Sequence, residues 1–209
     1  MKKMVLMIII GFCATASQLM AQSAPFNGYD QVVWGSSLED VRNAYNIGNN
    51  IVLSENYNND PNIASLILET ASESIKRRQF LFNKWNSNSY RLYRVWVTYS
   101  DSKDDTHNTL KTRLQQIYST PTDNKMNVGE AKEYFGQVTV VYRQETISYG
   151  NYSPEIEVEL IRRVTGNPPR YGDMFDSIRA SEYQKHNYIQ VCYTWKKLRD
   201  EYQASQVGL

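Results

Sequence analysis

"RRQFLFNKWNSNSYRLYRVWVTYS", residues 77–100, decides the kind of fold through the period of its apolar residues. Within 90–100, Val95, Val97 and Tyr99 fall on one side and Arg94, Trp96 and Thr98 on the other. That is the alternation of a strand with one buried face. Residues 78–85 form a second aromatic-rich strand, and "WNSNSY" between the two has the composition of a hairpin connection. Strands joined by so short a polar turn pair antiparallel, because parallel pairs need a crossover of about a dozen residues or more.

Outward from this hairpin the same signal recurs. "IVLSENY" (51–57) and "SLILETAS" (65–72) precede it, and "YFGQVTVVYRQETISYG" (134–150) and "SPEIEVELIRRVT" (153–165) follow. In the last, Ile156, Val158 and Leu160 alternate with Glu155, Glu157 and Glu159, giving one dry and one wet face. Two segments switch to helical spacing. Residues 36–45 carry Leu38, Val41, Ala44 and Tyr45 on one side, with Ser36 and Glu39 as a capping box and Gly48 as the stop. Residues 104–118 carry Leu110, Leu114, Ile117 and Tyr118, and Pro121 ends them. At the C-terminus, Tyr188, Cys192, Trp195, Leu198 and Tyr202 make a stripe that predicts one long helix over 173–203. The expected fold is α+β: an antiparallel sheet of about six strands, two short helices and a long C-terminal helix, in a single domain over 22–209.

The first residues predict export. Met1-Lys2-Lys3-Met4 is basic, 5–12 are apolar and small residues follow, the layout of a signal peptide removed after Ala21. The apolar run is shorter than the ~20 residues a membrane-spanning helix needs, so no transmembrane segment is expected after cleavage. Cys13 follows Phe12, where lipid attachment requires a small residue, so it leaves with the signal. The mature chain keeps only Cys192, which rules out an intramolecular disulfide and, in the apolar "YIQVCYTW", predicts a buried thiol. Loss of Lys2 and Lys3 leaves 21 basic residues against 22 acidic ones, which excludes the electrostatic footprint of a nucleic-acid binder. The periplasm is the expected location.

Catalytic chemistry has few candidates. Ser36 and Ser37 lack the closing glycine of a nucleophile elbow and read as a helix cap. "DSKDDTH" (101–107) offers three Asp and His107, but its spacing matches no calcium loop or zinc site, and Asp104 or Asp105 as helix cap accounts for it. His186 is the only other histidine. No metal, no cofactor and no enzymatic activity are therefore expected. The positive feature is the interleaving of Arg and aromatic residues in the opening hairpin. The chain has 16 Tyr, 4 Trp and 6 Phe, and Tyr, Trp and Arg dominate binding hot spots. Arg78, Phe80, Trp85, Tyr90, Arg91, Tyr93, Arg94 and Trp96 are the candidate interaction face.

"WGSSLEDVRNAY" (34–45), together with the Arg-x-Phe hairpin and the Leu-Tyr-Arg-Val strand, resembles small exported bacterial proteins of the spirochaete type, of unknown function. The resemblance brings no catalytic residues with it; the expected function, resting on the aromatic/Arg strands and the C-terminal helix, is that of a non-enzymatic periplasmic protein whose partners are other periplasmic or cell-envelope proteins. For a chain of that origin, the periplasmic flagellar filament and its sheath are the expected assembly. The competing expectation is a binding module for a glycan or small molecule, with a pocket lined by Trp85, Tyr93 or Trp96.

Overall fold

The computed structural model describes residues 28–46, 52–55, 57–69, 74–84, 88–150 and 155–207. The expected signal (1–21), Gly48 and Trp85 lie outside them. Six strands lie where the alternation puts them: β3 (Val52–Glu55), β4 (Ile63–Glu69), β5 (Ile75–Asn83), β6 (Arg91–Tyr99), β8 (Val138–Tyr149) and β9 (Ile156–Thr165). Two more complete one sheet: β7 (Asp123–Glu133) and β10 (Tyr188–Trp195). The order is β3-β4-β5-β6-β10-β9-β8-β7, antiparallel throughout. Two meanders, β3 to β6 and β7 to β10, thus meet where β10 pairs with β6. A separate two-stranded ribbon, β1 (Gly28–Tyr29) and β2 (Val32–Val33), precedes helix α1 (Leu38–Ala44).

The α+β expectation is overturned: the described residues are mostly β, with four short helices among them. Residues 173–203 do not form a long helix. They break into α3 (Asp176–Lys185), β10 and α4 (Lys196–Val207). The helical spacing of Tyr188, Cys192 and Trp195 is real, but Ile189, Val191 and Tyr193 between them are apolar too. A central strand buried on both faces reads as a continuous run that fits a helix as well as a strand. All six residues from Ile189 to Thr194 are buried. Two side-chain hydrogen bonds cross the seam: Gln190 Nε2 donates to Thr98 Oγ1 at 2.9 Å, and Arg94 Nε donates to Thr194 Oγ1 at 3.0 Å. Cys192 is buried, as its surroundings in sequence imply.

The strand β7 escapes sequence reading for the opposite reason. "DNKMNVGEAKE" has little intrinsic strand propensity and is almost wholly exposed. Its eleven pairs with β8 hold it extended. At Gly129 a Cβ would stand 2.6 Å from the ring of Tyr142, so any larger residue there has to displace that ring.

One face of the sheet, the inner face, is covered by the ribbon, α1 and the helix α2 (Asp104–Tyr118). Phe80, Phe82, Leu92, Val95, Val97, Val158, Leu160 and Val191 meet Tyr29, Val41, Leu110 and Leu114 there in the main core. On the outer face α4 packs Leu198 on Leu81 and Tyr93, and α3 packs Tyr183 on Val138 and Val140. Simple alternation along β6 fails at one point. Leu81 pairs with Arg94 and Phe82 with Leu92, so Tyr93 is an extra, bulged residue. The bulge lets Leu92 and Val95, three residues apart, share the inner core.

The entry to α1 is capped one residue later than its sequence suggests. Ser37, not Ser36, is the N-cap: its Oγ accepts from Asp40 N at 3.1 Å, and Asp40 Oδ2 accepts from Ser37 N at 2.9 Å. Ser36 is committed through its backbone. Gly35 N donates to Leu92 O and Leu92 N to Ser36 O, each at 2.9 Å, which pins this segment to the start of β6. Gly35 has φ 85°, a conformation only glycine adopts cheaply. Ser37→Ala is expected to cost about 1 kcal/mol and Ser36→Ala less than about 0.5 kcal/mol in chemical denaturation. Equal losses would refute this placement of the cap.

Helix α2 begins at Asp104, yet neither Asp104 nor Asp105 caps it, and Lys103 occupies the cap position. Asp104 pairs instead with Arg162 of β9. His107 points into the sheet, buried, with Nε2 3.5 Å from Glu145 Oε2. Burial holds its pKa below the ordinary 6.5, against the opposing pull of Glu145. Unfolding releases this imidazole, so below its ordinary pKa the unfolded chain binds the extra proton and stability falls with pH. His107→Gln is expected to flatten the stability loss between about pH 7 and 5.5, measured by urea denaturation. The exposed, hydrogen-bonded Asp40 and Asp101 are held below 3.8, so their contribution is lost at lower pH. An unchanged slope in the variant would rule His107 out.

Candidate interaction surface

The eight residues of the expected face do not form one surface. Phe80 has no exposure and lies in the inner core, its ring 5.2 Å from Tyr45 and 6.4 Å from Tyr29. Arg78, on the same face, donates from Nε to Tyr29 Oη at 3.3 Å. Tyr93 is buried on the outer face beneath Leu198, with Arg94 over its ring at 5.6 Å and the half-buried Trp96 in the same cluster. Tyr90 donates its hydroxyl to Pro61 O at 3.3 Å, and Arg91 is bridged to Ser37 at the start of β6. Trp85 lies outside the described residues. These strands stand in the body of the sheet, so the interleaving of Arg and aromatics serves both faces of a covered sheet. Phe80 and Tyr93 cannot contribute to an exposed face. A pocket lined by Tyr93 and Trp96 is likewise excluded, because α4 sits on them.

The cluster at 101–107 is also dispersed. Asp101 accepts from Lys103 N at 2.8 Å and from Thr106 Oγ1 at 3.3 Å, while Asp104 and His107 turn to Arg162 and Glu145. Among the described residues no three His, Cys, Asp or Glu side chains are grouped to hold a metal ion. His186 lies 2.9 Å from Glu133 Oε1 and stacks on Tyr142 with centroids 5.9 Å apart, which ties the end of α3 to the β7–β8 hairpin.

What the sheet does expose lies at its far end. Helix α2 covers the inner face only as far as Glu145 and Arg162. Beyond it, Val128 of β7, Arg143 of β8 and Val164 of β9 follow one another across the sheet, flanked by Met126 opposite Glu145 and Val141 opposite Glu130. Val128 is 69% exposed and Met126 62%, and Val141 and Val164 are exposed as well. All four point to the same uncovered face. At the tip of the hairpin Phe135 is 97% exposed. Tyr134 and Phe135 hold φ of 48° and 55°, left-handed values that cost a residue with a Cβ about 1 kcal/mol or more each.

β7 is also an edge strand, hydrogen-bonded only to β8. Its outward side presents eleven residues of backbone without a neighbouring strand among the described residues. Edge strands are templates for another chain unless blunted. Lys125 and Lys132 are the charges of the usual protective kind, and no proline interrupts it. The signal in sequence was Met126-Asn127-Val128, apolar at i and i+2. It was too short to stand out beside the aromatic strands.

No family model matches the chain, and neither a curated protein nor a solved structure matches it. Among the described residues no helix is long and apolar enough to cross a membrane. The patch itself is testable. Replacing both Met126 and Val128 by Lys is expected to lower the binding of an apolar fluorescent dye while changing stability by less than about 0.5 kcal/mol. Unchanged dye binding would mean that this face is not the protein's main apolar surface.

Proposed function

We propose that this is an exported, non-enzymatic protein of the periplasm that works by binding another cell-envelope protein at the β7–β8–β9 end of its sheet. The observation that carries this reading is the coincidence of an uncovered apolar face with an unpaired edge strand. Met126, Val128, Val141 and Val164 supply apolar contact area, and β7 supplies a row of free backbone donors and acceptors beside it. An extended segment of a partner adding to β7 satisfies both at once. The main-chain ladder gives affinity, and alternate side chains reach across the apolar face. Phe135 at the hairpin tip extends the contact beyond the strand. Charged residues on the same face, Glu130, Lys132 and, between Val128 and Val164, Arg143, favour a defined register over unspecific sticking.

Export is supported by the basic-then-apolar pattern of residues 1–21. The non-enzymatic reading is supported by the scattering of the candidate acids, bases and nucleophiles into caps and ion pairs. The test is affinity purification of the mature protein from its native periplasm beside a Val128→Lys/Val141→Lys variant. The wild-type chain is expected to bring down a defined partner that the variant loses. Recovery of a bare monomer in both cases, or equal capture by both, would overturn the proposal.

A further inference from the structure

The sheet ends at β7, which has no neighbour on its outward side among the described residues, and the side chains of this edge carry their own counter-charges. On the inner face the strand presents Met126, Val128, Glu130 and Lys132, opposite Glu145, Arg143, Val141 and Thr139 of β8. Directly opposite residues of an antiparallel pair share a face. Arg143 and Glu130 are exposed within the apolar patch and form no ion pair among the described residues. Lys132 has no carboxylate beside it there, and its Nζ donates to Thr139 Oγ1 at 2.6 Å. On the outer face, Lys125 and Glu133 stand towards the two ends of the strand.

A second copy that adds to this edge antiparallel is related to the first by a two-fold axis normal to the sheet, the usual symmetry of a homodimer. Such an axis keeps the inner faces of both copies on the same side. The ladder therefore centres on a residue, since a one-residue slip would set inner side chains against outer ones. Centred on Val128, it puts Asp123 opposite the partner's Glu133, a pair of like charges at each end. Centred on Glu130, it opposes two carboxylates on the axis itself, and centred on Asn127 it sets no charge against an opposite one. Centred on Gly129, it pairs the whole stretch from Lys125 to Glu133, and the charges match. Lys125 meets the partner's Glu133 on the outer face. On the inner face the partner's Glu130 stands beside Val128, in line with Arg143, and the partner's Lys132 stands beside Met126, in line with Glu145. Arg143 and the partner's Glu130 are then two strand spacings apart, about 10 Å between backbones, a gap their long side chains can close over the valine between them. The stems of the partner's Glu130 and Lys132 cover Val128 and Met126. Symmetry makes each of these matches twice.

We propose that β7 pairs with β7 of a second copy of this chain, in a symmetric antiparallel ladder centred on Gly129, and that this homodimer is the form the protein takes until its partner arrives. The pairing gives the backbone groups of the edge a neighbour and so guards it against uncontrolled strand addition. It rests on the same open edge as the proposed partner binding and adds a control to it. A partner's segment has to displace the second copy, so capture of the partner weakens as the protein's own concentration rises.

Sedimentation equilibrium of the purified mature chain at low salt tests the pairing. A concentration-dependent dimer is expected, and added salt is expected to weaken it. Glu130→Arg and Arg143→Glu are each expected to weaken dimerisation at least about tenfold, because each turns two attractive matches into repulsive ones. The double variant Glu130→Arg/Arg143→Glu is expected to return to within about threefold of the wild-type affinity, which a loss caused by misfolding would not do. A chain that remains monomeric at about 0.1 mM would overturn the proposal. So would a dimer that the single charge reversals leave unchanged, or a double variant no tighter than the single ones. The partner-binding reading fails separately. A chain that is monomeric in isolation yet captures a partner through Val128 and Val141 refutes the self-pairing alone, and a dimer that captures nothing refutes the partner alone.

Discussion

The seam between β6 and β10 is the constraint on which the rest of the structure depends. It joins residues about ninety positions apart, such as Thr98 and Gln190, and among the described residues it is the one pairing that connects the two meanders into one sheet. Closing so long a loop carries a large entropic cost, and the seam answers it with burial on both sides. Val95, Val97, Val191 and Tyr193 are covered on the inner face. Gln190, Cys192 and Thr194 are covered on the outer face, with Thr98 and Arg94 as hydrogen-bond partners for the two polar ones. Each fully buried aliphatic side chain contributes about 1.5–3 kcal/mol, and β10 adds Val191 and Tyr193 to that core beside Val97 and Val95.

The helices follow from this arrangement. Two meanders that converge on a central seam send β7 to the far edge, so the chain must cross the sheet between β6 and β7. Helix α2 is that crossing, and its stripe of Leu110, Leu114 and Tyr118 seals the inner face on the way. Because β10 is central, the chain before and after it has to leave the sheet, and α3 and α4 lie on the outer face over opposite ends. α4 covers Leu81 and Tyr93, and α3 covers Val138 and Val140. The inner face beyond Glu145 and Arg162 remains without a lid.

The exposed apolar end is a product of that uneven cover. The apolar end exists because β7 to β9 run past the reach of α2. The apolar end does not coincide with the Arg- and aromatic-rich hairpin, whose side chains are divided between two covered faces by the pleat and by the bulge at Tyr93.

Local order was legible where a residue's surroundings are set by its near neighbours. Six strands could be read from period-2 alternation, and α2 from its stripe. The capping box at the entry to α1 was visible too, though one residue early, since Ser36 and Ser37 both precede an acidic residue by three positions. What could not be read depended on distant neighbours. Tyr188 to Trp195 satisfies a helix and a doubly buried strand equally well, and only its placement between β6 and β9 chooses the strand. Asp123 to Glu133 carries almost no apolar pattern, and it is a strand because β8 lies beside it. Exposure was out of reach for the same reason. Phe80 and Val128 differ little in hydrophobicity, and which of them meets solvent depends on where α1 sits and where α2 stops.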